Sequence, residues 1–319
     1  MARRSWLPVD GVIVLDKPLT LSSNDALQRV RRAYRARKAG HGGTLDPLAT
    51  GVLPIAFGKA TRFLHDLVEA EKIYTATLTL GQRSNTGDGE GEITDTPGYV
   101  SGVPASQNIE QVLAEFIGPI MQRAPMYSAL KHQGKPLYEY ARAGIKLDLP
   151  PRSVTIHECS LVSVGLDQLQ IRIRCSKGTY IRVLAEDIGD RLGCGAYLSG
   201  LRRDAVGRFD LGQSVTLETL ENAAMHASDE APHAGLPPLS PVDEMVRELP
   251  EVSLDDAAAR QFTNGQAVAL APMAIDDDHS SAHADESRWR VYGDGRFLGL
   301  GRRQARMLSP FKVIPDTAV

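Results

Sequence analysis

Residues 40–54 read GHGGTLDPLATGVLP, and no other stretch limits the chain's conformation so tightly around a single acid. Gly40, Gly42, Gly43 and Gly51 permit close backbone approach, while Pro47 fixes its own φ and biases Asp46 towards an extended conformation. Asp46 is thus expected on a stiff loop. An Asp-Pro pair alone reads most simply as a turn. Here His41 stands upstream, and Leu45, Leu48, Val52, Leu53 and Ile55 are placed to bury the loop. A carboxylate of ordinary pKa, about 3.9, is anionic at neutral pH and available as a nucleophile or base.

The 319 residues, 42% of them hydrophobic, suffice for a sizeable core and for two domains. The opening MARRSWLPVD has no apolar leader segment, and no run approaches the roughly 18 apolar residues of a membrane-crossing helix, so a cytoplasmic protein is expected. Cys159, Cys175 and Cys194 are odd in number and lack CxxC spacing, which argues against a disulfide framework or a structural zinc site. A net charge of -3 counts against a nucleic-acid partner, but the charge is unevenly placed. Residues 29–38 hold six bases and no acid, 288–312 hold seven bases against Asp294 alone, and 218–256 hold ten acids against Arg247. An RNA would meet the two basic regions while the acidic one faces away; solvated helix faces would give the same pattern.

Along the chain, GVIVLDKPLT gives a strand and a Lys17-Pro18 turn, with Ser22 or Ser23 capping a helix. Leu27, Val30 and Tyr34 recur at helical spacing, which turns Arg31, Arg35 and Lys38 outward in a row leading to the Asp46 loop. Gly58-Lys59-Ala60-Thr61 imitates a phosphate-binding loop, but the glycine spacing and Ala60 after Lys59 refuse a Walker A motif. Lys59 instead opens a helix with Phe63, Leu64, Leu67 and Val68 as its apolar face. Residues 72–84 alternate, with Tyr74, Ala76, Leu78 and Leu80 inward. NTGDGEGEITD lacks the Glu that a calcium loop requires and reads as a hairpin loop. In 121–146, Tyr127, Tyr138 and Tyr140 interleave with bases, which suits either an RNA backbone or a surface helix with a tyrosine stripe.

Leu169, Ile171, Ile173 and Cys175 form the inward face of a strand that leads into a helix capped by Thr179, with Ile181, Leu184 and Ile188 buried. Arg182 in that first turn opposes the macrodipole, so either a pair with Glu186 or some other demand holds it. Residues 226–241 are Pro-rich, and a domain join is expected near 248. Beyond it, an Asn264-Gly265 turn and strands Arg288 to Tyr292 and Arg296 to Leu300 around Gly293-Asp294-Gly295 indicate a small β-barrel, interrupted by an acidic insertion at 273–287.

The stretch GHGGTLDPLATGVLPIAFGKATRFL resembles the motif of the TruB family of bacterial pseudouridine synthases, which modify the T loop of tRNA. Lys17, Pro18 and Ser22 match an early family pattern, and Pro125, Ser128, Ala129, Lys131, Gly134, Tyr138, Ala141, Arg142 and Gly144 a later one; KGTYIR (177–182) and LRR (201–203) then follow in family order. The resemblance implies an α+β pseudouridine synthase fold, a mixed and largely antiparallel sheet flanked by helices, over 1–248. An RNA-binding insertion at about 85–150 and a PUA-like RNA-binding barrel over 249–319 complete it. It further implies isomerisation of uridine to pseudouridine at position 55 of tRNA, by a monomer without metal, cofactor or obligate protein partner. By resemblance Asp46 is the nucleophile, Arg182 its partner, and Tyr74 the ring that stacks on a flipped-out base. Tyr180 and Leu201 line the uracil pocket, His41 fills the vacated space, Arg142 meets a phosphate, and Lys17 completes the substrate contacts. The rival reading is a non-catalytic RNA chaperone or ribonucleoprotein scaffold of the same fold. A metal-dependent glycosidase would want a second placed carboxylate, and the sequence shows none near the motif.

Overall fold

The computed structural model describes residues 5–102, 106–128, 130–228, 230–270 and 287–315. Ala129 and nearly all of the acidic insertion therefore lie outside the described residues. The organising element is a 10-stranded sheet whose spine runs, in spatial order, Ser214–Thr216, Gly11–Lys17, Ala49–Phe57, Ala196–Val206, Lys72–Leu80, Gln168–Cys175, Arg152–Val164 and Gly118–Gln122. Two pairings, Gly11–Lys17 with Ser214–Thr216 and Ala49–Phe57 with Ala196–Val206, are parallel; the others are antiparallel. This is the expected α+β arrangement. The expected alternation holds through the middle of the sheet, where Tyr74, Ala76, Leu78 and Leu80 face the same core as Leu169, Ile171, Ile173 and Cys175.

Helix Ser23–Ala33 covers one end of this core with Ala26, Leu27 and Val30, and Ser22 caps it by accepting from the Asp25 N–H. The expected basic row is only partly free. Arg31 donates to the carbonyls of Ala36 and Arg37, and Arg35 donates to that of Ser5, so both fasten local backbone.

Other expectations need correction. The segment after Lys59 begins as a 3₁₀ helix, Gly58–Phe63, and becomes α-helical only over Leu64–Glu69. The tighter turn rotates the later face, burying Phe63 and Leu67 but leaving Val68 exposed. Helix Ile181–Arg191 buries Ile181, Leu184 and Ile188 as expected, yet its N-cap is Tyr180, and Thr179 donates instead to the Ser176 carbonyl. Within 85–150, strand Gly118–Gln122 pairs into the main sheet, and Ile109 and Leu113 enter its core.

Beyond 248 a second, five-stranded sheet runs Glu251–Leu254, Arg288–Gly293, Arg296–Gln304, Met307–Val313 and Val268–Ala269, curled as a PUA-like half-barrel. Asn264 and Gly265 close helix Asp256–Thr263. The two sheets share a hydrophobic cluster in which Leu300 and Ile314 join Val12, Val14, Phe63 and Leu67. Asp66 reinforces the seam by pairing with both Arg288 and Lys312.

Candidate active site

The Asp46 loop is held by its neighbours rather than by its own hydrogen bonds alone. Ser23, buried at the start of its helix, accepts from the Leu45 N–H at 2.7 Å and donates to the Leu45 carbonyl at 2.8 Å. The Thr20 N–H donates to the Pro47 carbonyl, and Gly42 N–H to that of Pro54. Leu45, Val52, Leu53 and Ile55 are buried, as the apolar flanks required. Gly43 has φ +105°, a conformation that costs glycine little and other residues considerably more.

Five of the expected site residues converge on one cavity of about 200 Å³: Asp46, Tyr74, Tyr180, Arg182 and Leu201. They come from a loop, a central strand, a helix cap, the following helical turn and a second central strand. At roughly 30 Å³ per water, the space holds a small planar group and little else. Ser128 and Thr179 add hydroxyls to its wall.

Arg182 supplies the link between the two distant motifs. Its Nη2 lies 3.2 Å from Asp46 Oδ2 and donates to the Tyr127 carbonyl at 2.7 Å. Its Nη1 lies 3.2 Å from Asp88 Oδ2 and donates to the Thr86 carbonyl at 3.1 Å. The demand that holds a cation in this first turn is therefore a pair of carboxylates, and a Glu186 pair is not needed to explain it. Gln122, 1% exposed, fixes the adjoining cap: its side-chain amide accepts from the Tyr180 N–H at 3.0 Å and donates to the Tyr180 carbonyl at 3.3 Å.

Asp88 was hidden in the sequence. The hairpin loop around it is present, between Gln82–Ser84 and Ile93–Asp95, but it folds its acid inward. A second carboxylate thus stands beside the motif after all. It lies off the cavity wall, committed to Arg182 and to the Thr86 hydroxyl, which donates to it at 2.6 Å. The run Ser84-Asn85-Thr86 carried the one usable signal, side chains able to satisfy a buried acid.

Sharing Arg182 has an electrostatic consequence. Burial pushes the Asp46 carboxyl above its ordinary value; Arg182 pulls it back, Asp88 adds to the rise, and Lys17 opposes it. The guanidinium that opposes the rise is shared, since it pairs with Asp88 as well as with Asp46.

The remaining expected contacts fall outside the cavity wall. Lys17 is wholly buried, its ammonium donating to the Pro18 carbonyl at 2.9 Å and the Leu21 carbonyl at 2.6 Å, and burial lowers its pKa to about 8 against the pull of Asp46. It braces the turn beside the loop and has no surface to offer a substrate. His41 ends the short strand Ala39–His41; burial and then Arg203 push its imidazole down, so it is neutral, and its Nδ1 is buried without a hydrogen-bond partner among the described residues. Arg142 is exposed at the end of helix Leu137–Arg142, its guanidinium 5.4 Å from the Tyr138 ring centroid.

The TruB family pseudouridylate synthase N-terminal domain matches residues 31–181, and two TruB C-terminal domains match 182–247 and 250–314. A tRNA pseudouridine synthase B of Burkholderia mallei is 48% identical over 98% of this chain and 99% of its own. The corresponding protein of Cupriavidus taiwanensis is 48% identical over 96% of this chain and 94% of its own.

The chain belongs to the TruB family.

Two solved structures are similar to this TruB-family chain throughout. One is a chain of an H/ACA ribonucleoprotein bound to a substrate RNA containing 2′-deoxyuridine, with a TM-score of 0.68 and 25% identity over 96% of this chain and 86% of its own. The other is a chain of a Cbf5-Nop10-Gar1 complex, with a TM-score of 0.69 and 27% identity over 96% of this chain and 85% of its own.

Proposed function

We propose that this TruB-family chain is a tRNA pseudouridine synthase that isomerises uridine at position 55 of the T loop, with Asp46 as the reacting carboxylate. The observation that carries this reading is the meeting of Asp46 and Arg182 at a cavity sized for one base and walled by Tyr74, Tyr180 and Leu201. The names of its relatives support the substrate class. In the reaction the C1′–N1 bond breaks, the base turns, and a C1′–C5 bond forms; N1 gains a proton and C5 loses one. Nothing is oxidised and no water is consumed, so the chemistry calls for no metal or cofactor.

The uridine leaves its stack to bring its base into the cavity, at a cost of a few kcal/mol. Tyr74 offers a ring face to the extruded base, Tyr180 and Leu201 close around it, and His41 stands ready for the vacated space. We assign a phosphate contact to Arg142, exposed on its short helix. The protein works in the cytoplasm as a monomer without an obligate partner. The test is activity on a bare T-arm stem-loop, read by carbodiimide primer extension. Pseudouridine formed by the wild type and lost in Asp46→Asn supports the reading. A requirement for a guide RNA or a protein partner would favour the scaffold reading instead.

A further inference from the structure

The LRR segment contributes more than Leu201. Arg203 is 1% exposed, the largest of the fully buried side chains. A guanidinium only donates and stays charged, so burying it demands acceptors on every side. Arg203 Nε donates to the Val52 carbonyl at 2.8 Å and Nη2 to the Gly43 carbonyl at 3.1 Å. Tyr74 is its direct cross-strand partner, and the phenol and the guanidinium interact electrostatically. Among the described residues no carboxylate stands within ion-pair distance of it. It is a buried cation balanced by dipoles, an expensive arrangement to keep for packing alone.

Its partners belong to the parts of the site that have to act together. Gly43 begins the loop that carries Asp46, Val52 lies on the strand leaving that loop, and Tyr74 walls the cavity. The backbone repeats the connection: Gly51 pairs with Arg203 in the parallel register, and with φ +101° a Cβ there would stand 2.2 Å from the Arg203 carbonyl oxygen. The charge of the guanidinium beside the Tyr74 phenol favours one placement of that ring.

We propose that Arg203 is a positioning residue for the isomerisation, fastening the Tyr74 ring and the Asp46 loop in one fixed mutual placement. The stacking face and the carboxylate then address the same base without separate adjustment. This rests on the function proposed above for the same cavity.

The test compares wild type, Arg203→Lys, Tyr74→Phe and the double variant in single-turnover assays on the T-arm stem-loop, with tRNA affinity and thermal melting measured on each. Lysine keeps the charge but lacks the planar fork that reaches the Val52 and Gly43 carbonyls together. Arg203→Lys is expected to melt cooperatively, to bind tRNA within about threefold of wild type, and to react at least tenfold more slowly, since small displacements of reacting groups carry penalties of that order. In the Tyr74→Phe background the same change is expected to cost about threefold or less, because the hydroxyl on which its charge acts is already gone.

A wild-type rate for Arg203→Lys, or an equal loss in both backgrounds, overturns the proposal. Should Arg203→Lys fail to fold, Tyr74→Phe decides alone, because it keeps the ring and removes only the hydroxyl that faces the guanidinium's charge. A slowing beyond about twofold with affinity retained upholds the proposal, and a smaller one sinks it. Absence of product with the wild type would instead be a failure of the function, and is read from the first lane.

Discussion

Asp46 and Asp66 are both carboxylates met by cations from distant parts of the chain, and they are supplied very differently. Asp66, with its side chain 9% exposed, receives Arg288 at one oxygen and Lys312 at the other. Asp46, 44% exposed, receives one contact from Arg182, which also serves Asp88. The seam acid is saturated and shielded. The cavity acid keeps an oxygen open, has half a cation, and sits at a proton affinity raised by burial. An anchor gains from full pairing, whereas a group that has to react loses by it.

The largest expected effect removes the under-supplied acid. Asp46→Asn is expected to abolish pseudouridine in the primer-extension assay while holding tRNA affinity within about tenfold, since the shape of the site is kept. Stability should move the other way. The folded pKa lies above the unfolded one, so the cost of the charge appears as pH rises through the unfolded value and is complete above the folded value. Asn carries no such cost, so the variant is expected to melt higher than wild type at neutral pH and to lose that advantage in acid.

Arg182→Lys comes next. A single ammonium cannot serve Asp46, Asp88 and the Thr86 and Tyr127 carbonyls together, and a loss of roughly 10²-fold in single-turnover rate is expected. Near-wild-type turnover would mean that the shared guanidinium is not what prepares Asp46.

The third prediction concerns pH. If Asp46 reacts as its anion, the rate falls about tenfold per unit on the acid side of its pKa. Burial shifts that limb upward from the ordinary Asp value. A rate still flat at the usual Asp value of about 3.9 would remove the contrast between the two acids.

Asp66→Asn should act on the fold and leave the chemistry alone. It strands Arg288 and Lys312, both partly solvated, so a loss of about 1–2 kcal/mol is expected in thermal or denaturant melts, with the T-arm rate unchanged. The smallest effect is at Thr20, a β-branched residue with φ 72° whose N–H holds the Pro47 carbonyl. Thr20→Gly relieves that strain, and a gain of about 0.5–1 kcal/mol is expected after glycine's own entropy cost. A change in rate there would show that the turn also tunes Asp46.

Much of this was legible in the sequence because it is repeated or local. Period-two alternation located the central strands, and Leu27, Val30 and Tyr34 at helical spacing located the first helix. Asp46, Tyr74, Tyr180, Arg182 and Leu201 were found through motifs whose order on the chain survives folding. What escaped depends on partners far along the chain. Nothing near Asp88 says that its hairpin closes on Arg182, nothing near Arg203 says that its acceptors lie at Gly43 and Val52, and the inward turn of Lys17 is decided by the carbonyls around it. Val68 was lost to a change of helical pitch that no residue type announces.

Leu300 and Ile314 are interior to a cluster that also contains Val12, Val14 and Phe63, so the second sheet is seated in the first by shared oil as well as by charge. Prising the seam apart would return those side chains to water at about 1.5–3 kcal/mol each. The span from Asp46 to the far sheet is therefore set when the polypeptide folds, like the gap of a locked caliper. A bound molecule long enough to touch both jaws would be gauged against that gap and would not reset it.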